Sequence, residues 1–248
     1  MIVMRTMSSD YLSNSYMVGD IDGGSAVLID SGGPPEPTLE AIEAHDLTVT
    51  HLILTHHHVD HVLHNDLFVG RFACPILAHR TEAELLGQSV DGFIEDGDEL
   101  TTGGLRIRAA LTPGHTVGML ALIINDECVF TGDTLFAGTV GGTMAPGHGT
   151  FADIQHSIMG TLMKLPPETV VHPGHTDPTT IGDEWEKNPF VRIWRGLDEP
   201  GNSRCTAFGR PATLVLRAPD YDGGTKCWVR FDDSGADEIA PGSQVVDE

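Results

Sequence analysis

The chain has 248 residues, 40% of them hydrophobic, which suffices for one large packed domain or a domain with a small appendage. A formal net charge of −22 and a pI near 4.7 repel polyanions and argue against nucleic acid as a partner. No apolar run approaches the roughly 20 residues of a membrane span, and residues 1–5 are too short for a secretory signal, so the expectation is a cytoplasmic protein with no membrane partner.

Charge is uneven along the chain. Residues 1–180 hold 6 basic and 23 acidic side chains, whereas residues 181–248 hold 8 and 13, so an anionic substrate group is expected to meet the tail. Cys74, Cys128, Cys205 and Cys227 form no Cys-x-x-Cys pair and read as reduced, buried thiols, with a Cys205 to Cys227 link left open.

In chain order, residues 14–20 and 25–33 read as strands around the turn Asp22-Gly23-Gly24. Residues 38–45 have helical apolar spacing after a proline-rich lead-in. The apolar run 49–54 is a buried strand, 74–78 another, 80–88 a helix and 105–111 a strand. A Pro-Gly turn at 113–114 presents His115. Strands at 120–125 and 128–130 end in Thr131-Gly132-Asp133, and the Gly-rich stretch 137–149 is suited to lining a site. Residues 151–165 read as one helix, 169–175 as a strand ending on Gly174-His175, and 183–194 as a helix despite Pro189. Segments 211–217 and 226–231 flank Asp222-Gly223-Gly224 as a hairpin, and the acidic end reads as loose. Alternating strands and helices indicate a layered α/β fold.

The chemistry concentrates at Thr55-His56-His57-His58-Val59-Asp60-His61, a His-x-His-x-Asp-His pattern where a buried strand runs out into a loop. In extended backbone His56 and His58 project from one side and can reach one metal ion, while Asp60 and His61 can face a second ion. With His115, Asp133 and His175 this makes five imidazoles and two carboxylates at strand ends. Seven such ligands exceed what one zinc-like ion uses; two ions bridged by one carboxylate use them all.

These four motifs, in this order, resemble the metallo-β-lactamase superfamily, and within it the glyoxalase II-like hydrolases, over roughly residues 10–195. The resemblance implies a four-layer αββα sandwich over 1–195, followed by an extension at 196–248 with a β-hairpin. It implies that His56, His58 and His115 hold one ion, that Asp60, His61 and His175 hold another, and that Asp133 bridges them. The ions expected are two zinc, with iron or manganese as alternatives. The implied reaction is hydrolysis of a small-molecule thioester, or a related ester or lactone, by a hydroxide between the metals, with Asp60 orienting it and taking its proton. His148, on the Gly-rich loop, is a candidate substrate contact or proton donor.

The pattern also discriminates within the superfamily. Asp133 stands where one lactamase class has Cys, and His58 where flavodiiron proteins have Glu. Val62-Leu63-His64 follow the Asp-His pair where family members often carry small residues, which alters the entrance to the second site. The tail does not resemble the helical glutathione-binding domain. It is open to completing the substrate pocket, covering a sheet edge, or pairing subunits in a homodimer. A second enzyme class is a mononuclear iron persulfide dioxygenase using His56, His115 and Asp133; a nuclease or a non-catalytic binding module is less favoured. His45, His51, His57, His64, His79, His156 and His172 read as ordinary core or surface residues.

Overall fold

The computed structural model describes residues 1–248. Its layering follows from how each strand divides its apolar side chains between two faces. β1 (Ile2–Met7), β2 (Asn14–Gly19), β3 (Ser25–Ile29), β4 (Thr48–Ile53), β5 (Ile76–Ala78) and β6 (Gly92–Phe93) form one sheet in that order. β1, β2 and β3 are antiparallel neighbours, and β3 to β6 run parallel. Tyr16, Val18, Val27, Ile29 and Ile53 point to the inner face, whereas Met17, Ala26, Leu28 and Leu52 point outward. The outward set is covered by helices α1 (Pro35–Ala44) and α3 (Asn65–Phe72), which bury Ile42 and Phe68 against it. The single turn α2 (Val59–Val62) and helix α4 (Arg80–Leu85) complete this side of the molecule.

The second sheet holds β7 (Glu99–Thr102), β8 (Leu105–Leu111), β9 (Leu120–Ile124) and β10 (Cys128–Gly132). A small hairpin, β11 (Leu135–Phe136) and β12 (Thr139–Val140), follows, then β13 (Val170–Pro173) and β14 (Thr179–Thr180), in the sheet order β14-β13-β10-β9-β8-β7. Leu105, Ile107, Leu120, Leu122 and Phe130 meet the inner face of the first sheet. Their alternates Ala121, Ile123 and Val129 face α5 (Phe151–His156) and the segment after it. The result is an αββα sandwich, as expected. β3 and β4 are parallel, and so are β10 and β13, so the carboxyl ends of each pair open on one edge. The Asn14 N–H donates to Gly174 O at 2.6 Å and ties the two sheets together there.

Several local readings change. β1 was not anticipated. Residues 151–165 are not one α-helix: after α5 the backbone widens to a π turn at Ser157–Thr161 and tightens to a 3-10 turn at Leu162–Lys164. The helix read through Pro189 is two, α6 (Ile181–Lys187) and α7 (Pro189–Trp194), because Asn188 leaves helical geometry and its side chain caps the Phe190 and Val191 N–H groups.

The C-terminal hairpin is the centre of a larger structure. β15 (Ser203–Ala207), β16 (Arg210–Pro219), β17 (Thr225–Phe231), β18 (Asp237–Pro241) and β19 (Val245–Asp247) form one antiparallel sheet, ordered β18-β17-β16-β15-β19. The acidic end is therefore strand rather than loose chain. One face of this sheet, with Val215, Trp228 and Ile239, packs on the helical layer over the second sheet. The four cysteines are all free and buried, with no Cys205 to Cys227 bond.

Candidate metal centre

Five strand ends and loops converge on the open edge. The chain leaving β4 carries His56 and His58 in extended backbone, and α2 begins immediately after, so Asp60 and His61 turn back over them. His115 comes from the β8–β9 turn, Asp133 from the end of β10 and His175 from the end of β13. All seven anticipated side chains meet here.

His58 Nδ1 lies 3.1 Å from His56 Nε2 and 3.0 Å from His115 Nε2. Asp60, His61 and His175 make a second group, with Asp60 Oδ2 3.5 Å from each of the two Nε2 atoms. Asp133 lies between the groups: Oδ1 is 3.4 Å from His61 Nε2, and Oδ2 is 3.4 Å from His115 Nε2 and 3.3 Å from His175 Nε2.

The remaining nitrogen of each ring is held from behind, which fixes its tautomer. His61 Nδ1 donates to Asp30 Oδ2 at 3.0 Å, His115 Nδ1 to Gly142 O at 2.9 Å, His175 Nδ1 to Leu12 O at 3.0 Å, and His58 Nε2 to Pro146 O at 2.9 Å. His56 Nδ1 donates to Thr55 Oγ1 at 3.0 Å, which donates in turn to Asp30 Oδ2 at 2.8 Å. Each ring thus turns its other nitrogen toward the centre. His61 Nε2 and Asp133 Oδ1 are buried, face one another, and have no hydrogen-bond partner. Two buried polar atoms left so would be costly, and a cation between them satisfies both. The donor set fits borderline divalent metals.

Electrostatics separate the two groups. Burial, reinforced by the charge of His61, pushes His56 well below the usual histidine range, and burial holds His115 down to about 4. Burial also opposes charge on His61, but Asp133, Asp30 and Asp60 outweigh it and raise that ring to about 9. Asp133 stays ionised, since the imidazoles of His175, His61 and His115 overcome the cost of its burial.

Close backbone approach is part of the site. A Cβ at Gly174 would lie 2.1 Å from Asp133 Oδ1, so only glycine lets that carboxylate sit between the groups.

His148 is not brought into the cluster. Gly147, at φ +74°, and the His148 N–H bond to Ala145 O turn its ring outward, where Nδ1 donates to Gly149 O at 2.7 Å. His172 stacks on Phe130 with ring centroids 4.7 Å apart, and its buried Nδ1 makes no hydrogen bond.

Sequence reasoning missed two supporting carboxylates. Asp30 ends β3 in left-handed backbone (φ +55°) and accepts from the Thr55 N–H at 2.8 Å as well as from His61 and Thr55 Oγ1. The signal for it was an aspartate closing an apolar strand before Ser31-Gly32-Gly33, the context that singled out Asp133. Glu82, in a helix read as packing only, is 1% exposed and clamps two site loops. Its Oε2 accepts from the His57 N–H at 3.0 Å and from His57 Nδ1 at 2.5 Å, and its Oε1 from the Gly118 N–H at 2.7 Å. Burial opposes its charge, but these bonds keep its pKa below the usual value. Glu82→Gln replaces one acceptor oxygen with a donor facing an N–H group. We expect a loss of about 2 kcal/mol of stability and a roughly tenfold drop in kcat/KM. A thermal melt and kinetics indistinguishable from the parent would refute the clamp.

Two histidine and carboxylate groups sharing one buried carboxylate, at the rim of an αββα sandwich, define a metal-dependent hydrolase. Residues 9–175 match the family model of the metallo-beta-lactamase superfamily, and the chain belongs to that superfamily. It is 33% identical over 207 residues to an uncharacterized protein of Mycobacterium tuberculosis, a match covering 72% of this chain and 92% of the relative. It is 32% identical over 200 residues to the hydroxyacylglutathione hydrolase GloC of Haemophilus influenzae, covering 73% and 93%. Among solved structures it resembles ETHE1 from Myxococcus xanthus, with a TM-score of 0.68 and 29% identity over 81% of this chain and 92% of that one. It also resembles TTHA1623 in a di-iron-bound form, with a TM-score of 0.62 and 32% identity over 75% and 98%. No helix is long and apolar enough to cross a membrane.

Proposed function

We propose that this chain hydrolyses a small-molecule thioester, with esters and lactones as the neighbouring substrate class, using two metal ions. The observation that carries this reading is the position of Asp133, one carboxylate in reach of three imidazoles drawn from both groups. His56, His58 and His115 would hold one ion; Asp60, His61 and His175 the other; Asp133 would bridge. Zinc suits these ligands, with iron or manganese as alternatives, and the di-iron form of TTHA1623 supports a two-ion site. When bound, the ions supply Lewis acidity and make a water acidic near neutral pH.

The chain's own groups do the rest. Asp60 is the more open carboxylate, its side chain 19% exposed against 7% for Asp133, so it is the one to orient the attacking water and accept its proton. Water oxygen bonds to the acyl carbon, the C–S bond breaks, and the sulfur leaves as thiolate, giving a carboxylate and a thiol after proton transfer. A cleft of about 340 Å3 beside Gly32, lined by Met7, Tyr11, Leu63 and His64, offers room for the acyl or thiol chain. A Cβ at Gly32 would strike the Asp60 main-chain carbonyl, so the cleft adjoins the backbone that carries the second group. The likeness to GloC supports the thioester class. We place the protein in the cytoplasm, where four buried free thiols are at home, and expect neither nucleic acid nor membrane as a partner.

A persulfide dioxygenase with one iron on His56, His115 and Asp133 is the second reading, supported by the likeness to ETHE1. One experiment separates them: metal analysis of purified protein, followed by acyl-thioesters, lactones and persulfides assayed with an oxygen electrode. Two equivalents of metal and thioester cleavage without oxygen uptake are expected. One iron with oxygen consumption on a persulfide selects the second reading. Under half an equivalent of any transition metal, with no metal-dependent turnover, sinks both.

A further inference from the structure

The family match ends at residue 175, yet the turn between β16 and β17, more than 40 residues later, reaches the metal centre. Tyr221 lies on that turn. Its ring stacks on His175 with centroids 4.1 Å apart and planes within 13°, and meets Phe136 edge-on at 5.4 Å. The turn is fixed internally: Asp220 N–H donates to Gly224 O at 3.0 Å, Tyr221 N–H to Asp220 Oδ1 at 2.9 Å, and Gly224 N–H to Asp222 Oδ1 at 2.7 Å.

It is also anchored by charge. Lys226 is 7% exposed, with Nζ 3.0 Å from Asp220 Oδ2 and 5.4 Å from the centre of the Tyr221 ring. A buried ion pair is an expensive way to stabilise a hairpin, and its retention makes sense where it holds a neighbouring group in one place. The tyrosine hydroxyl makes no hydrogen bond within the protein and is open to solvent, so it is free to meet a substrate.

We propose that Tyr221 is a catalytic residue, donating its phenolic hydrogen to the substrate oxygen on the carbon under attack. This rests on the hydrolase reading. As water oxygen bonds to that carbon, the carbonyl electron pair moves onto oxygen, and a donor already in place stabilises the charge that develops. A phenol holds its proton at neutral pH, so it can meet that oxygen as a donor. The extension then supplies a group that the matched part of the fold does not, and it lies in the half of the chain richest in cations.

Tyr221→Phe keeps the ring on His175 and removes only the oxygen. With metal content unchanged, kcat on the best thioester should fall on the order of 10- to 100-fold while KM moves less than about threefold. Affinity for a trifluoromethyl ketone analogue of the same acyl chain, whose hydrate copies the tetrahedral adduct, should fall by a similar factor. A purely structural role would leave both values at those of the parent, because Phe preserves the stacking. If the parent turns over thioester and Tyr221→Phe matches it in kcat and in analogue affinity, the tyrosine role is wrong and the hydrolase reading stands. If the metal-loaded parent neither cleaves thioesters, esters or lactones nor binds the analogue, both fall together.

Discussion

Asp133→Asn should lose kcat/KM by roughly 10²–10⁴-fold and hold at most one metal ion per chain. The replacement is isosteric, so the argument is about charge. Asp133 is 5% exposed and presents both oxygens to three imidazole nitrogens between 3.3 and 3.4 Å away. An amide offers one oxygen, and its neutral NH2 cannot ligate a cation, so one of the two groups loses its share of the side chain. Removing a single group that stabilises charge in a dry active site costs about 10²–10³-fold in kcat, and Asp133 serves both groups at once. Because Asp133 belongs to both groups, its loss should weaken metal retention at both, unlike the loss of His58, which touches only the first. Metal analysis on dialysed protein, with circular dichroism to verify the fold, distinguishes the two. Two retained ions and undiminished turnover in the Asn variant would remove the bridging role.

Much of this site was legible in the sequence because its residues share a local grammar. An apolar strand ends, a Gly or Thr opens the backbone, and a His or Asp follows: Thr55-His56, Gly114-His115, Gly132-Asp133 and Gly174-His175 all obey it. The central strands were legible too, since a strand buried on both faces writes itself as a continuous apolar run such as 120–124. What escaped depends on distant partners. Glu82 is an ordinary helix residue until His57 and Gly118 arrive from loops 25 and 36 residues away. Tyr221 stacks on a residue 46 positions earlier in a turn whose own sequence announces only a hairpin. β1 has no clean alternation because most of its residues are only half-buried, with Arg5 reaching Asp177 at 2.7 Å across the sheet edge. Asn188 broke a helix by capping the next one, a competition that apolar spacing cannot register.

Metal binding to the second group should release about one proton per chain at neutral pH, and binding to the first should release none from His56 or His115. The difference follows from environment. His56 and His115 are pushed down by burial, His115 to about 4, so at pH 7 both already offer lone pairs. His61 carries the opposite balance: burial resists its charge, but Asp133, Asp30 and Asp60 prevail and raise it to about 9. A cation entering there must displace that proton, so its affinity should fall about tenfold per pH unit below 9. The same groups shape the metal-free fold. His61, raised in the folded state, contributes stability that is complete below its unfolded value near 6.5 and is lost as pH rises through about 9. His115, depressed, contributes stability that is present above 6.5 and lost as pH falls through about 4. The metal-free protein should therefore melt highest near pH 6.5 to 7. Asp30→Asn withdraws one of the carboxylates holding His61 up, so it should cut the proton release and flatten the alkaline side of the melting profile. Zinc titrations into metal-free protein at pH 7, in two buffers of different ionisation enthalpy, count the protons directly. Equal release at both groups, or none from the parent, would show that the carboxylates around His61 do not set its charge.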